Sequence, residues 1–175
     1  MKTKENNFAY IDGVNLHKAV RELGWNLDYA RFRVWLTEKY SIKRANIFIG
    51  LMPKYKDLYA YLQKVGFTLI FKEVIYDGCG KPKGNCDADL VLQATRDTFE
   101  NNFKSAVIVS SDGDYAGLIN FLMEKEKLLT ILSPSIEKKC SILLKRTNAP
   151  IAYINDQKLI LSIQKEKAPD RDGTP

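Results

Sequence analysis

Acidic side chains gather in three short blocks of this chain, each beside an apolar run: Phe8-Ala9-Tyr10-Ile11-Asp12, Asn85-Cys86-Asp87-Ala88-Asp89, and Ala106-Val107-Ile108-Val109-Ser110-Ser111-Asp112-Gly113-Asp114. The first and third read as buried strands that stop at an acid followed by glycine. In a parallel sheet, side chains at the carboxyl ends of neighbouring strands face one crevice, where open α/β folds bind their ligands. Carboxylates brought together there repel. At ~4–5 Å and an effective dielectric near 20, each like-charged pair costs about 3–4 kcal/mol. A hard divalent cation with oxygen ligands offsets that cost, and Mg2+ is typically held by one or two carboxylates plus substrate phosphates. The pattern points to metal-dependent phosphate chemistry.

Strands and helices must alternate to place acids in this way, and the patterning supplies them. A strand over 8–12 leads to a helix over 14–23 that stops at Gly24. Leu27-Asp28 opens a second helix reaching Tyr40, with Phe32, Trp35 and Leu36 on one stripe. A strand over 46–51, a helix over 55–65 closed by Gly66 and a strand over 67–75 follow. Asp77-Gly78 and Lys81-Pro82-Lys83-Gly84 mark a loop over 76–85, then a helix over 87–101. A strand over 106–110, a helix over 115–125 and a strand over 128–132 come next. Pro134 opens a helix to Arg146, before an edge strand over 150–154 and a helical stretch over 156–163. This order predicts an α/β fold, a three-layer α/β/α sandwich with a mainly parallel sheet of five to six strands and right-handed crossovers. The strands carrying Asp12 and Asp112 should be neighbours where the strand order reverses. Residues 1–163 read as one domain, and the polar tail 164–175 is expected to be disordered.

With 175 residues the chain is long enough for one full core. Its 27 Lys and Arg against 21 Asp and Glu give a net charge of +6. A basic surface around an acidic crevice suits a polyanion held at the rim, though +6 also serves simple solubility. No run approaches the ~18 apolar residues of a membrane span, and the polar start has no apolar leader core. Cys79, Cys86 and Cys140 form no disulfide framework, which predicts a reducing cytoplasm. Cys79, Cys86 and the single histidine, His17, match no zinc spacing.

Tyr10-Ile11-Asp12-Gly13-Val14-Asn15-Leu16, Lys83-Gly84-Asn85-Cys86-Asp87-Ala88-Asp89-Leu90 and Ser110-Ser111-Asp112-Gly113-Asp114-Tyr115 together resemble the NYN-domain (LabA-like) family of PIN-like nucleases, over residues 8–155. The resemblance implies a PIN-like, Rossmann-like sandwich and a Mg2+- or Mn2+-dependent ribonuclease acting on RNA. It implies metal-site roles for Asp12, Asp87 and Asp112, with Asn15 as polar partner and Asp114 as second acid of the third block. Cys86 stands where the family usually has an aliphatic residue, a space that a buried thiol fills.

Several assignments have two readings. Asp114 either ligates the ion or caps the helix that follows. Ser110 and Ser111 either contact a scissile phosphate or satisfy local backbone. Lys81 and Lys83, with Lys72 and Tyr76 nearby, suit phosphate contact and base stacking on single-stranded RNA, or form a solvated loop. Lys138-Lys139 and Lys145-Arg146 form a solvent face or an RNA track. Asp89 is expected at the rim, Asp97 on the surface and His17 outside the chemistry. The rival function is a non-catalytic PIN-like module that binds RNA or protein. Dinucleotide and P-loop signatures are absent from the first block, where Asp12-Gly13-Val14-Asn15 stands.

Overall fold

The computed structural model describes residues 5–83 and 85–163, with the main chain alone for Pro82 and Lys83. The expected tail, 164–175, lies outside the described residues. In chain order the elements are β1 (Asn7–Asp12), α1 (Gly13–Glu22), α2 (Tyr29–Tyr40), β2 (Ile42–Leu51), α3 (Lys56–Lys64), β3 (Thr68–Glu73), β4 (Ile75–Tyr76) and β5 (Pro82–Lys83). There follow α4 (Asp87–Phe99), β6 (Ala106–Val109), α5 (Ala116–Glu124), β7 (Leu128–Ser133), α6 (Ile142–Arg146), β8 (Ile151–Tyr153) and α7 (Lys158–Leu161).

Period-two alternation in the central strands divides the core into two layers. Ala9 and Ile11 of β1, with Val107 and Val109 of β6, pack against Leu16 and Val20 of α1 and Phe32 and Leu36 of α2. Phe8, Tyr10, Ala106 and Ile108 point the other way, onto Leu90 and Ala94 of α4 and Ile119 and Leu122 of α5. Strands buried on both faces read as continuous apolar runs, as parallel strands do. The six-stranded sheet has the order β3-β2-β1-β6-β7-β8, and each neighbouring pair is parallel. β1 and β6 are therefore adjacent, in register from Phe8 opposite Ala106 to Ile11 opposite Val109. From β1 the chain first builds outward through β2 to β3, then crosses back to β6 on the other side. That reversal puts the strand-order switch between β1 and β6, where open α/β folds bind their ligands.

β2 begins at Ile42, four residues before the strand expected over 46–51, and two further stretches differ from the sequence expectation. The loop after β3 contains a short antiparallel hairpin, β4 with β5. Asp77 shapes its turn, its Oδ1 accepting from the amides of Cys79 and Lys81, with Gly80 at φ +74°. The predicted helix from Pro134 to Arg146 is broken into a 3-10 turn, Glu137–Lys139, and α6. Cys140 between them is extended and buried, and the Ser141 amide donates to the Ser111 carbonyl at 3.1 Å. That cross-link replaces helical hydrogen bonds, and the Ser141 hydroxyl then restarts the helix by accepting from the Leu143 amide. Among the described residues, no helix is long and apolar enough to cross a membrane.

Candidate metal centre

Asp12 is both the last residue of β1 and the N-cap of α1, its Oδ1 accepting from the Asn15 amide at 3.0 Å. Gly13 lets that helix start against β2: a Cβ there would lie 2.9 Å from the Phe48 carbonyl oxygen. Beyond β6, Asp112 caps a 3-10 turn, Gly113–Tyr115, by accepting from the Asp114 amide at 3.1 Å. At Gly113 a Cβ would collide with the Ser141 hydroxyl, so glycine allows α6 to close over the turn. Asp87 opens α4, where the Asn85 side chain accepts from its amide at 2.8 Å.

Asp87, Asp112 and Asp114 each offer a carboxylate oxygen within 4.8 Å of the others. It is the one such group of metal-ligating side chains among the described residues. Asp12 lies outside that group and is joined to Asp87 through Tyr115. The Tyr115 hydroxyl donates to Asp87 Oδ1 at 2.6 Å and lies 3.3 Å from Asp12 Oδ2. Burial raises the Asp12 carboxyl above its ordinary range; the Asn15 amide opposes this, and the charges of Asp87 and Asp112 add to it. Burial, then Asp12 and Asp87, push the Tyr115 hydroxyl well upward, so it remains a donor.

The donor set is all oxygen, as a hard cation requires. Ligand atoms on opposite sides of an ion with ~2.1 Å bonds stand ~4.2 Å apart, so a small closure of the carboxylates would seat one. Asp87, Asp112 and Asp114 fit such an ion. The Cys86 thiol is buried and held protonated, its pKa raised to about 11 by burial and then by Asp12, Asp89 and Asp87, and it adds no soft ligand.

The remaining candidates fall into place by their hydrogen bonds. Asn15 Oδ1 accepts from both the amide (2.9 Å) and the hydroxyl (3.0 Å) of Ser111, which leaves the Asn15 side-chain nitrogen as its donor. Ser111 in turn receives the Ser135 hydroxyl at 3.0 Å. Ser110 accepts from the Asp112 amide. Both serines are buried, and these hydroxyls serve the turn and Asn15. Lys81 is exposed on the hairpin, Tyr76 beside it is 60% exposed, and of Lys83 only the main chain is described. Lys72 pairs with Asp89 at 3.0 Å, tying β3 to the start of α4. His17 is exposed and lines a cavity of about 510 Å³ with Arg21, Trp25, Tyr29 and Tyr61; none of the clustered acids lines it.

Asp97 corrects the sequence expectation of a surface acid. It is 3% exposed and accepts from the Tyr10 hydroxyl at 2.6 Å, Asn102 at 2.9 Å and Gln93 at 3.1 Å. Its spacing from Leu90 and Ala94, seven and three residues before it, puts it on the buried stripe of α4, a periodic signal that its charge masked. Sequence reasoning also left Tyr115 without a role. Its position directly after Asp112-Gly113-Asp114 was the available signal.

A parallel α/β/α sheet with carboxylates gathered at its strand-order switch defines an open α/β protein with an acidic cluster. The NYN domain profile matches residues 9–150, and the chain belongs to the NYN-domain family. Among solved structures, it is similar to a protein of unknown function, VPA0982, from Vibrio parahaemolyticus. The two are 22% identical, with a TM-score of 0.75 over 93% of this chain and 99% of that one; the likeness is one of fold. No curated protein matches the sequence.

Proposed function

We propose that this NYN domain is a metal-dependent ribonuclease that hydrolyses phosphodiester bonds of single-stranded RNA, using Mg2+ or Mn2+. The observation that carries the reading is the Asp87, Asp112 and Asp114 cluster, beside Asp12 at the strand-order switch. Carboxylates that only repel would be costly to gather, and a site that binds a cation gives the arrangement a use. In this reading residues 1–163 form one cytoplasmic domain.

Asp87, Asp112 and Asp114 would hold the ion, and Asp12, linked to Asp87 through Tyr115, would complete the acidic site. When bound, a divalent ion supplies an activated water, a polarised phosphate oxygen and charge opposite the negative charge that develops during hydrolysis. Asn15, its oxygen held by Ser111, would present its amide N–H groups to a phosphate oxygen. Ser110 and Ser111 act through the turn and Asn15. The hairpin would offer Tyr76 for base stacking and Lys81 and Lys83 for phosphates.

Labelled single-stranded RNA incubated with the protein and Mg2+ or Mn2+, then with EDTA, tests the reading. Products that require metal support it. A gel shift without products would instead make the protein a non-catalytic binding module.

Divalent metal is expected to raise the melting midpoint, because a ligand that binds only the folded state stabilises it. At ~100 times its Kd the gain is about 2.7 kcal/mol, which for a chain of this size is roughly 5–10 °C. Differential scanning fluorimetry with millimolar Mn2+ measures it, and the shift should shrink in Asp87→Asn.

Changing Lys81 and Lys83 together to alanine should weaken RNA binding about equally for all sequences. The slope of log affinity against log salt should flatten by roughly 0.7 per lost phosphate contact, while turnover at saturating RNA stays nearly unchanged. An unchanged slope would return the hairpin to a solvated loop.

A further inference from the structure

We propose that Tyr115 is a positioning residue that assembles the metal centre by gripping Asp87, an inference that rests on the metal-dependent reading above. The acids come from elements far apart in the chain: the end of β1, the start of α4 and the turn after β6. Something must hold the α4 carboxylate against the other two elements despite mutual repulsion. Local capping does not do so. The Asn85 side chain fixes the Asp87 amide rather than its carboxylate, and Cys86, the N-cap residue, makes no side-chain cap.

Tyr115 is built for the task. It sits in the same 3-10 turn as Asp114, directly after the Asp112 cap, so the turn carrying two clustered acids also grips the third. Its ring is 1% exposed and packed in the core layer with Tyr10, Leu90 and Ile119, which stops the phenol from swinging. Its hydroxyl reaches Asp87 Oδ1 at 2.6 Å and Asp12 Oδ2 at 3.3 Å. A hydroxyl carries one proton, and the shorter contact assigns it to Asp87. That proton stands between two carboxylates and lowers their repulsion. Groups that orient metal-binding carboxylates in this way typically change metal affinity 10–100-fold when removed.

Removing the single oxygen with Tyr115→Phe keeps the buried ring and tests the inference. Tyr10→Phe is the matched control: it removes the same atom from a buried tyrosine of the same core layer, where the hydroxyl serves Asp97. Mn2+ binding to the full chain is measured by the electron paramagnetic resonance signal of free Mn2+, well below every melting midpoint. Tyr115→Phe should weaken Mn2+ binding about 10–100-fold, while Tyr10→Phe changes it less than about twofold. Wild-type affinity in Tyr115→Phe overturns the positioning role and leaves the metal centre standing. Equal weakening in both variants also overturns it, since the loss would then follow core loosening. If the wild type itself binds no Mn2+, the metal-centre reading falls, and this inference with it.

Discussion

Asp112→Asn and Asp12→Asn are each expected to abolish metal-dependent cleavage of RNA while the fold survives. The asparagine oxygen can replace the carboxylate as acceptor at both caps, for the Asp114 amide and for the Asn15 amide. The substitution therefore removes charge and little else. Losing ~3–4 kcal/mol of transition-state charge stabilisation corresponds to about 10²–10³-fold in rate. Wild-type turnover in either purified variant would remove that residue from the metal site.

Asp12→Asn carries a second, opposite expectation for stability. Burial raises the Asp12 carboxyl in the folded protein, so the folded state holds this proton more tightly than the unfolded chain does. The sign follows from linkage: the metal-free wild type gains stability from this group as pH falls through its raised folded pKa, and loses that gain as pH rises again. Metal-free Asp12→Asn should therefore melt above wild type at neutral pH, by about 2–4 °C for each kcal/mol relieved. The advantage should shrink as acid protonates the wild-type carboxyl. A variant that melts below wild type at neutral pH would show that the Asp12 charge is satisfied in the fold.

Asp97→Ala is expected to cost substantial stability, with no direct effect on the acidic centre. Three donors, from Tyr10, Gln93 and Asn102, converge on this buried carboxylate. Truncation leaves the Tyr10 hydroxyl without its acceptor beneath the sheet, and an unsatisfied buried group costs about 1–3 kcal/mol. Together with the cavity, a loss of about 2–4 kcal/mol is expected, or roughly 5–15 °C in melting midpoint. Thermal melts of wild type and variant measure it. A change below a degree would mean that water or a rearranged Asn102 takes over the network.

Much of this fold was legible in the chain because its signals are local. Apolar runs bounded by Asp-Gly placed β1 and β6, and the stripe of Phe32, Trp35 and Leu36 placed α2. The alternation of strand and helix then allowed few topologies, since parallel crossovers are right-handed. The break before α6 was not legible, because it depends on the Ser141 amide bonding Ser111 across the fold. Asp97 was missed for a related reason: its charge argues for solvent, and donors arriving from β1 and the α4–β6 connection, with Gln93 of α4, make burial tolerable.

By itself the sequence determined most of the elements and the carboxylates available for chemistry, since these follow from local periodicity and side-chain type. Tertiary structure decided which carboxylates meet. It joined Asp114 to Asp87 and Asp112, and made Tyr115 the link from Asp87 to Asp12. The physical reason is that these contacts close over long stretches of chain, with Asp12 and Tyr115 separated by 103 residues. Such geometry is fixed by the packing of both core layers around the reversal between β1 and β6, and no local pattern records it.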